Sequence, residues 1–187
     1  MTVTTIPTAG IADDAVGNTK LDLAANYAFT GTVTGVEGVF ESQLLHIRDE
    51  KSSGTASGSS SGGSWQTRTL NTVKTNEITS ASLASNQISL PSGTYYIMAK
   101  ANHFDGDRHK IKLRNTTDSS DEIIGSSEYG EDAYNGTTNS YLHGRFTIGG
   151  TKVFEIQHRC ETSGSFGVQS SFSVIEVYAD VQIWKIS

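Results

Sequence analysis

The C-terminal stretch SFSVIEVYADVQIWKIS, residues 171–187, decides how the rest of the chain is read. Side chains on a strand alternate between two faces, so Ile175, Val177, Ala179, Val181 and Ile183 share one apolar face, while Tyr178, Trp184 and Ile186 share the other. Both faces therefore want cover. An antiparallel sheet ordinarily leaves one face to water. Aromatic residues on the second face point either to burial against another subunit or to a loop of the same chain folded over Trp184.

The same period of two recurs at short intervals from Gln43 onward. LLHIRDEK, WQTRTLNTV, NQISL, GTYYIMAKAN, HKIKLRNT, EIIGSS, YLHGRFTI and KVFEIQHRC are separated by turn residues such as PSG, DGD, NGTTN and IGG. Composition agrees: 35% hydrophobic and 18% charged residues with 19 glycines are the usage of a short-stranded, turn-rich protein, and 187 residues suit one core plus an extension. The expectation is all-β, an antiparallel jelly-roll sandwich over residues 41–187, preceded by an extended N-terminal arm over 1–40 with at most a short helix. Within the domain, KSSGTASGSSSGGS, residues 51–64, has no apolar side chain large enough to pack, which predicts a mobile surface loop.

Parity also assigns faces within strands. In TKVFEIQHRC, Phe154, Ile156 and Cys160 point inward with His158, while Glu155, Gln157 and Arg159 point out. Leu142, Phe146 and Ile148 form the inward face of the strand before it. The two strands are expected to form a hairpin: a two-residue Gly149-Gly150 loop would set Phe146 opposite Val153 and turn Phe154 outward, whereas a three-residue loop through Thr151 sets Phe146 opposite Phe154 on a common face, so an odd-length loop is expected.

A formal net charge of −6 and a pI near 5.3 argue against nucleic acid as a partner, because phosphate tracking needs clustered Lys and Arg. Lys110, Lys112 and Arg114 do form an outward basic row, read either as an edge guarded against aggregation or as a contact for an anionic surface polymer or another acidic protein surface. The single cysteine, Cys160, forms no disulfide framework; on an inward face it reads as a small buried hydrophobe. MTVTTIPTAG has neither the basic start nor the apolar run of a secretory signal, and no stretch of about 18 apolar residues occurs, so no membrane insertion is expected. The sequons at Asn115 and Asn135 then read as turns.

In the first 40 residues, Ile11, Ala15, Val16 and Leu21 form at most one short helical face, broken by Gly17 and Asn18. Tyr27, Phe29 and TGTVTG follow as a thin extended segment that needs a partner to bury it. Fully extended, such a segment reaches on the order of 100 Å.

The portion from Gln43 to Ser187 resembles the trimeric jelly roll of the tumour-necrosis-factor and complement globular-head superfamily, which recurs at the ends of viral fibres. WQTRTLNTV resembles its early strand, SGTYYIMAKA its strand with a Gly-x-Tyr core signature, and VYADVQIWKIS its terminal strand. Ile97 and Met98 stand where that family often has Phe, and its Phe-Gly-x-Phe ending is absent. A second stretch, IADDAVGNTKLDLAANYAFTGTVTG, residues 11–35, is similar to connector stretches in virion proteins of tailed bacteriophages. Together the resemblances imply a non-enzymatic phage virion protein, made in the host cytoplasm. It would be a trimeric capsid decoration, head fibre or short appendage, or alternatively a receptor-binding tail-fibre tip or carbohydrate-binding domain. They imply that Ile11, Val16, Leu21, Leu23, Tyr27 and Phe29 anchor the arm to other virion proteins. Tyr178, Trp184 and Ile186 would meet in the homotrimer, and Trp65, Tyr129, Tyr134 and Tyr141 would offer aromatic platforms to a host-surface glycan.

Catalytic readings are weaker. His103, Asp105, Asp107 and His109 in NHFDGDRHK are the best local ligand set, and two carboxylates beside a glycine suit calcium, but EF-hand spacing is absent and turn chemistry explains the same residues. DSSDEIIGSSEYGEDAY, residues 118–134, gathers six carboxylates without a spacing that defines a glycosidase pair. No GxSxG elbow accompanies the many Ser, His and Asp residues. No enzyme activity and no cofactor are expected.

Overall fold

The computed structural model describes residues 43–130 and 136–186. The expected arm, with Ile11, Val16, Leu21, Leu23, Tyr27 and Phe29 and its short helix, lies outside the described residues, as does Tyr134.

Every regular element among the described residues is a strand. In chain order these are β1 (Gln43–Lys51), β2 (Ser59–Ser60), β3 (Gln66–Thr67), β4 (Thr72–Asn76), β5 (Ser82–Ala84), β6 (Gln87–Leu90) and β7 (Gly93–Phe104). There follow β8 (Asp107–Asn115), β9 (Ser120–Ile124), β10 (Glu128–Gly130), β11 (Thr137–Ile148), β12 (Lys152–Cys160), β13 (Gly164–Ser165) and β14 (Glu176–Lys185). They pair antiparallel into two sheets. The front sheet runs β11-β7-β14-β1-β4, with β13 and β2 continuing beside the end of β7. The back sheet runs β10-β8-β12-β6-β5, with β9 on β8 and β3 on β12. This is a jelly-roll sandwich, built as the alternation dictates: Leu45 and Ile47 of β1, Ile97, Ala99 and Ala101 of β7, and Val181 and Ile183 of β14 face Ile111 and Leu113 of β8 and Phe154 and Ile156 of β12 across one core.

Four expectations are corrected. First, β11 and β12 are not a hairpin: β11 pairs with β7 in the front sheet and β12 with β8 in the back, so Gly149 and Gly150 turn a corner between sheets. Phe146 and Phe154 do meet, with ring centroids 5.4 Å apart, but across the interior. Parity says that a residue faces the core and is silent about which sheet carries it.

Second, β14 starts at Glu176, leaving Ile175 and Phe172 before it 52% and 79% exposed. A bulge sets two residues of β14 against the Asp49–Glu50 step, since Asp49 pairs with Ala179 and Glu50 with Val177. The extra residue, Tyr178, turns inward, is 4% exposed, and donates its hydroxyl to the Thr55 carbonyl at 2.7 Å. It therefore does not share a face with Trp184 and has no surface left for a second copy.

Third, residues 51–64 are tied down. Gly54 N–H donates to Glu176, Ser57 N–H to the Gly167 carbonyl, Gly63 N–H to the Cys160 carbonyl, and β2 pairs with β13. Small residues with no apolar surface still carry backbone donors and acceptors, and those anchor this stretch. Fourth, β8, with its basic row, is no edge: β12 flanks it on one side and β9 and β10 on the other.

Candidate interaction surfaces and a buried histidine cluster

The outward positions of the front sheet fall into three rows. Leu44, Trp184, Tyr96 and Arg145 are cross-strand neighbours; so are His46, Gln182, Met98 and His143, then Arg48, Asp180, Lys100 and Tyr141. Trp184 lies against Tyr96 with centroids 6.3 Å apart, and Met98 and Tyr141 are each 50% exposed. A shallow depression of about 230 Å³ opens among Met98, Lys100, Tyr141 and Gln182. Asp180 closes one side, accepting from Arg48 Nε at 2.7 Å and contacting His46 Nε2 at 3.0 Å. Ile186, half-buried, donates its N–H to the Thr94 carbonyl just beyond the last strand.

The back sheet presents a different outer face. β8 sends out Arg108, Lys110, Lys112 and Arg114, and β12 sends out Glu155, Gln157 and Arg159. Lys112 Nζ sits 4.3 Å from the Trp65 ring centroid and 2.9 Å from Asp121 Oδ1, which also accepts from Arg114 at 2.9 Å. Hydrogen bonds from these two cations hold the Asp121 carboxyl below its ordinary range, and a bond from Lys152 does the same for Asp118. The acidic segment thus contributes Asp118 and Asp121 as ion-pair partners. A groove of about 890 Å³ lies at one end of this face, between Trp65 and Tyr129 over a floor containing Lys110 and Arg159. Topology brings these two aromatics together from distant parts of the sequence; Tyr141 is on the other sheet.

Between the sheets, the inward rows change character along their length. The parity that buries Ile97, Ala99 and Ala101 also buries His103; that of Ile111 and Leu113 buries His109; that of Phe154 and Ile156 buries His158. Ring centroids are 5.4 Å apart for His103–His109, 5.3 Å for His103–His158 and 5.0 Å for His109–His158. His109 Nδ1 meets His158 Nε2 at 2.9 Å and its Nε2 meets Thr138 Oγ1 at 2.7 Å, while His103 Nε2 meets Ser60 Oγ at 2.6 Å. Gly106 permits the packing: a Cβ there would stand 2.0 Å from His103 Nδ1.

Arg68, fully buried, completes the cluster. Its guanidinium donates to the carbonyls of Asn102, Phe166 and Tyr178 and lies 4.3 Å over the Phe166 ring. Burial lowers its pKa only to about 10, so it stays charged at neutral pH. Burial, with the neighbouring cation, drives His103 and His109 down to about 4 and His158 lower still. The three imidazoles are neutral at pH 7. In the sequence, His103 and His109 join Asp105 and Asp107 as the best local ligand set, against the simpler reading of a turn; in the structure the two rings enter the core. Among the described residues no group of three or more His, Cys, Asp or Glu side chains is arranged to hold a metal ion. Asp105 and Asp107 form a turn with φ of 56° and 50°, and Thr162 Oγ1 donates to Asp107 at 3.2 Å. Cys160 is buried, which pushes its thiol pKa up.

Arg68 was missed by the sequence reading, although it stands two residues before the buried Leu70 in WQTRTLNTV and so shares its inward face.

No protein-family model matches the sequence, and no curated protein matches it. Solved structures do. The globular domain of zebrafish complement 1qA is 12% identical, covering 79% of this chain and 98% of its own with a TM-score of 0.53. Murine APRIL at pH 5.0 is 7% identical over 78% of this chain and 99% of its own, TM-score 0.52. Eiger TNF from S. frugiperda is 9% identical over 78% and 93%, TM-score 0.51. At these identities the likeness is one of fold: the domain is a TNF-like jelly roll.

Proposed function

We propose that this protein is a non-enzymatic, homotrimeric attachment module whose front sheets pack against one another around a threefold axis. The carrying observation is the outer face of the front sheet. Leu44, Tyr96, Met98, Tyr141 and Trp184 lie among polar neighbours on one face of β1, β7, β11 and β14, whose opposite face already fills the core, so water would otherwise meet these large side chains. Trp184, Tyr96 and Met98 would form the centre of the contact, with Ile186 at its rim. The back sheet and its groove would face outward, and three copies held together would multiply weak contacts by effective concentration.

The resemblance of residues 11–35 to phage connector stretches supports a finer reading. The arm would dock on a virion through Ile11, Val16, Leu21, Leu23, Tyr27 and Phe29, and the jelly roll would project as a capsid decoration, head fibre or short appendage. A receptor-binding tail-fibre tip is favoured to the extent that the back-sheet groove binds a ligand. Deleting residues 1–40 tests the arm: the remainder is expected to fold and to keep its oligomeric mass while failing to join particles. Normal incorporation of the truncated chain would make the arm a spacer.

A further inference from the structure

The outward cations of β8 are not equivalent. Arg114 stands opposite Glu155 across the β8–β12 ladder and bonds Asp121; Lys112 stands opposite Gln157, bonds Asp121 and lies on Trp65. Lys110 stands directly opposite Arg159. Like charges facing one another across a ladder destabilise it, and neither of these two has an ion pair among the described residues. Beside them, Arg108 is paired with Glu161 at 2.7 Å. The two cations left facing each other line the groove with Trp65 and Tyr129; its two carboxylates are already engaged, Glu161 by Arg108 and Glu128 by the Ser126 hydroxyl. Its volume of about 890 Å³ suits an oligosaccharide segment.

We infer that this groove binds an acidic glycan, with sugar rings against Trp65 and Tyr129 and a ring carboxylate between Lys110 and Arg159. An aromatic face takes the apolar side of a pyranose ring, while a carboxylate supplies a countercharge that Lys110 and Arg159 do not find among the described residues and accepts charge-assisted hydrogen bonds from both. Lys112, itself paired with Asp121, lies over one face of the Trp65 ring and fixes its position before the ligand arrives. The inference rests on the reading of this chain as an attachment module and adds the chemical class of what it attaches to.

The test is calorimetric titration of the full chain with tetragalacturonate, its fully methyl-esterified form, which has the same backbone without the charges, and a sulfated heparin tetrasaccharide. An acidic form should bind at least about tenfold more tightly than the ester, more weakly as salt rises. Lys110→Gln and Arg159→Gln should each weaken it roughly tenfold. Phe172→Ala, in the exposed segment before β14, should leave it unchanged. Arg159 is solvent-exposed, so its variant is expected to fold, which circular dichroism checks. Stronger binding of the sulfated than the carboxylated probe keeps the anionic site and changes the acid group. Equal binding of acid and ester, no binding of either acidic probe, or unchanged affinity in both variants overturns the inference. Oligomeric mass is read separately, so loss of glycan binding from a protein that remains trimeric leaves the assembly reading standing.

Discussion

The two ends of the sandwich interior are made by the same strands and the same alternation, yet they differ in chemistry. At one end Tyr95 stacks on Phe146 with centroids 5.5 Å apart, Phe154 meets Phe146 edge-on, and the Tyr95 hydroxyl donates to the Pro91 carbonyl. At the other end, the same inward rows deliver three histidines, and Arg68 joins them from just past β3. The apolar end is held by burial and close packing, which vary little with pH. The polar end is held by neutral imidazoles around a cation, an arrangement that depends on protons staying away. Burial thus follows from the period of two, while the response to conditions follows from what fills each inward position.

Substitutions can break this contrast at either end. The largest effect is expected from Phe154→Ala, which removes a fully buried ring from the apolar end and should cost about 3–5 kcal/mol in urea unfolding, with the same loss at pH 7 and pH 5. Arg68→Met comes next. It removes the guanidinium bonds to the Asn102, Phe166 and Tyr178 carbonyls, costing about 1–3 kcal/mol at pH 7. It also removes a positive charge that depresses the histidines, so the loss relative to wild type should shrink toward pH 5.

Acid acts on the polar end alone at first. The folded-state values of His103 and His109 lie near 4 and that of His158 lower, against about 6.5 in the unfolded chain. The unfolded state therefore binds protons that the folded state refuses. Their contribution is complete above pH of about 6.5 and is lost as pH falls toward about 4, at up to about 1.4 kcal/mol per pH unit for each histidine. Unfolding midpoints measured from pH 7.5 to 4.5 should fall in this window, and His158→Phe should flatten the slope. A slope unchanged in that variant would mean that other groups carry the acid response.

Below that window, Glu176 matters. Backbone N–H groups of Ser170, Ser171 and Gly54 hold its pKa at about 2, so its bonds persist until strong acid. The smallest effect is expected from Glu176→Gln, which should speed amide exchange at Gly54, Ser170 and Ser171 while leaving both core ends intact.

Much of this was legible in sequence. Alternation in KVFEIQHRC placed Phe154, Ile156 and His158 in the core, and the succession of short strands gave a sandwich. Other features depend on information that alternation lacks. Phe146 and Phe154 look the same from a hairpin and from a corner between sheets, so the partner strand was misread. The bulge opposite the Asp49–Glu50 step inverts parity at Tyr178, and nothing in VYADV marks it. β2 and β13 are serine–glycine segments joined by backbone bonds. Trp65 and Tyr129 were picked individually as aromatic platforms, but their convergence on Lys110 and Arg159 needed the β3–β12–β8–β10 order. His103 and His109 were noticed for the wrong reason: their proximity to Asp105 and Asp107 suggested a metal, whereas counting in twos from Ala101 and Ile111 places them inward.

The front sheet's outer face joins copies of this chain, and the back sheet's outer face does not. Light scattering of the full chain at micromolar concentration, beside Met98→Glu in the front face and Arg159→Glu in the back, tests it most directly. Three chains of 20.0 kDa should give about 60 kDa for the wild type and for the back-face variant, while the front-face variant should be a folded monomer of one chain's mass. A monomeric wild type, or a front-face variant that keeps the mass of the wild type, would contradict the account.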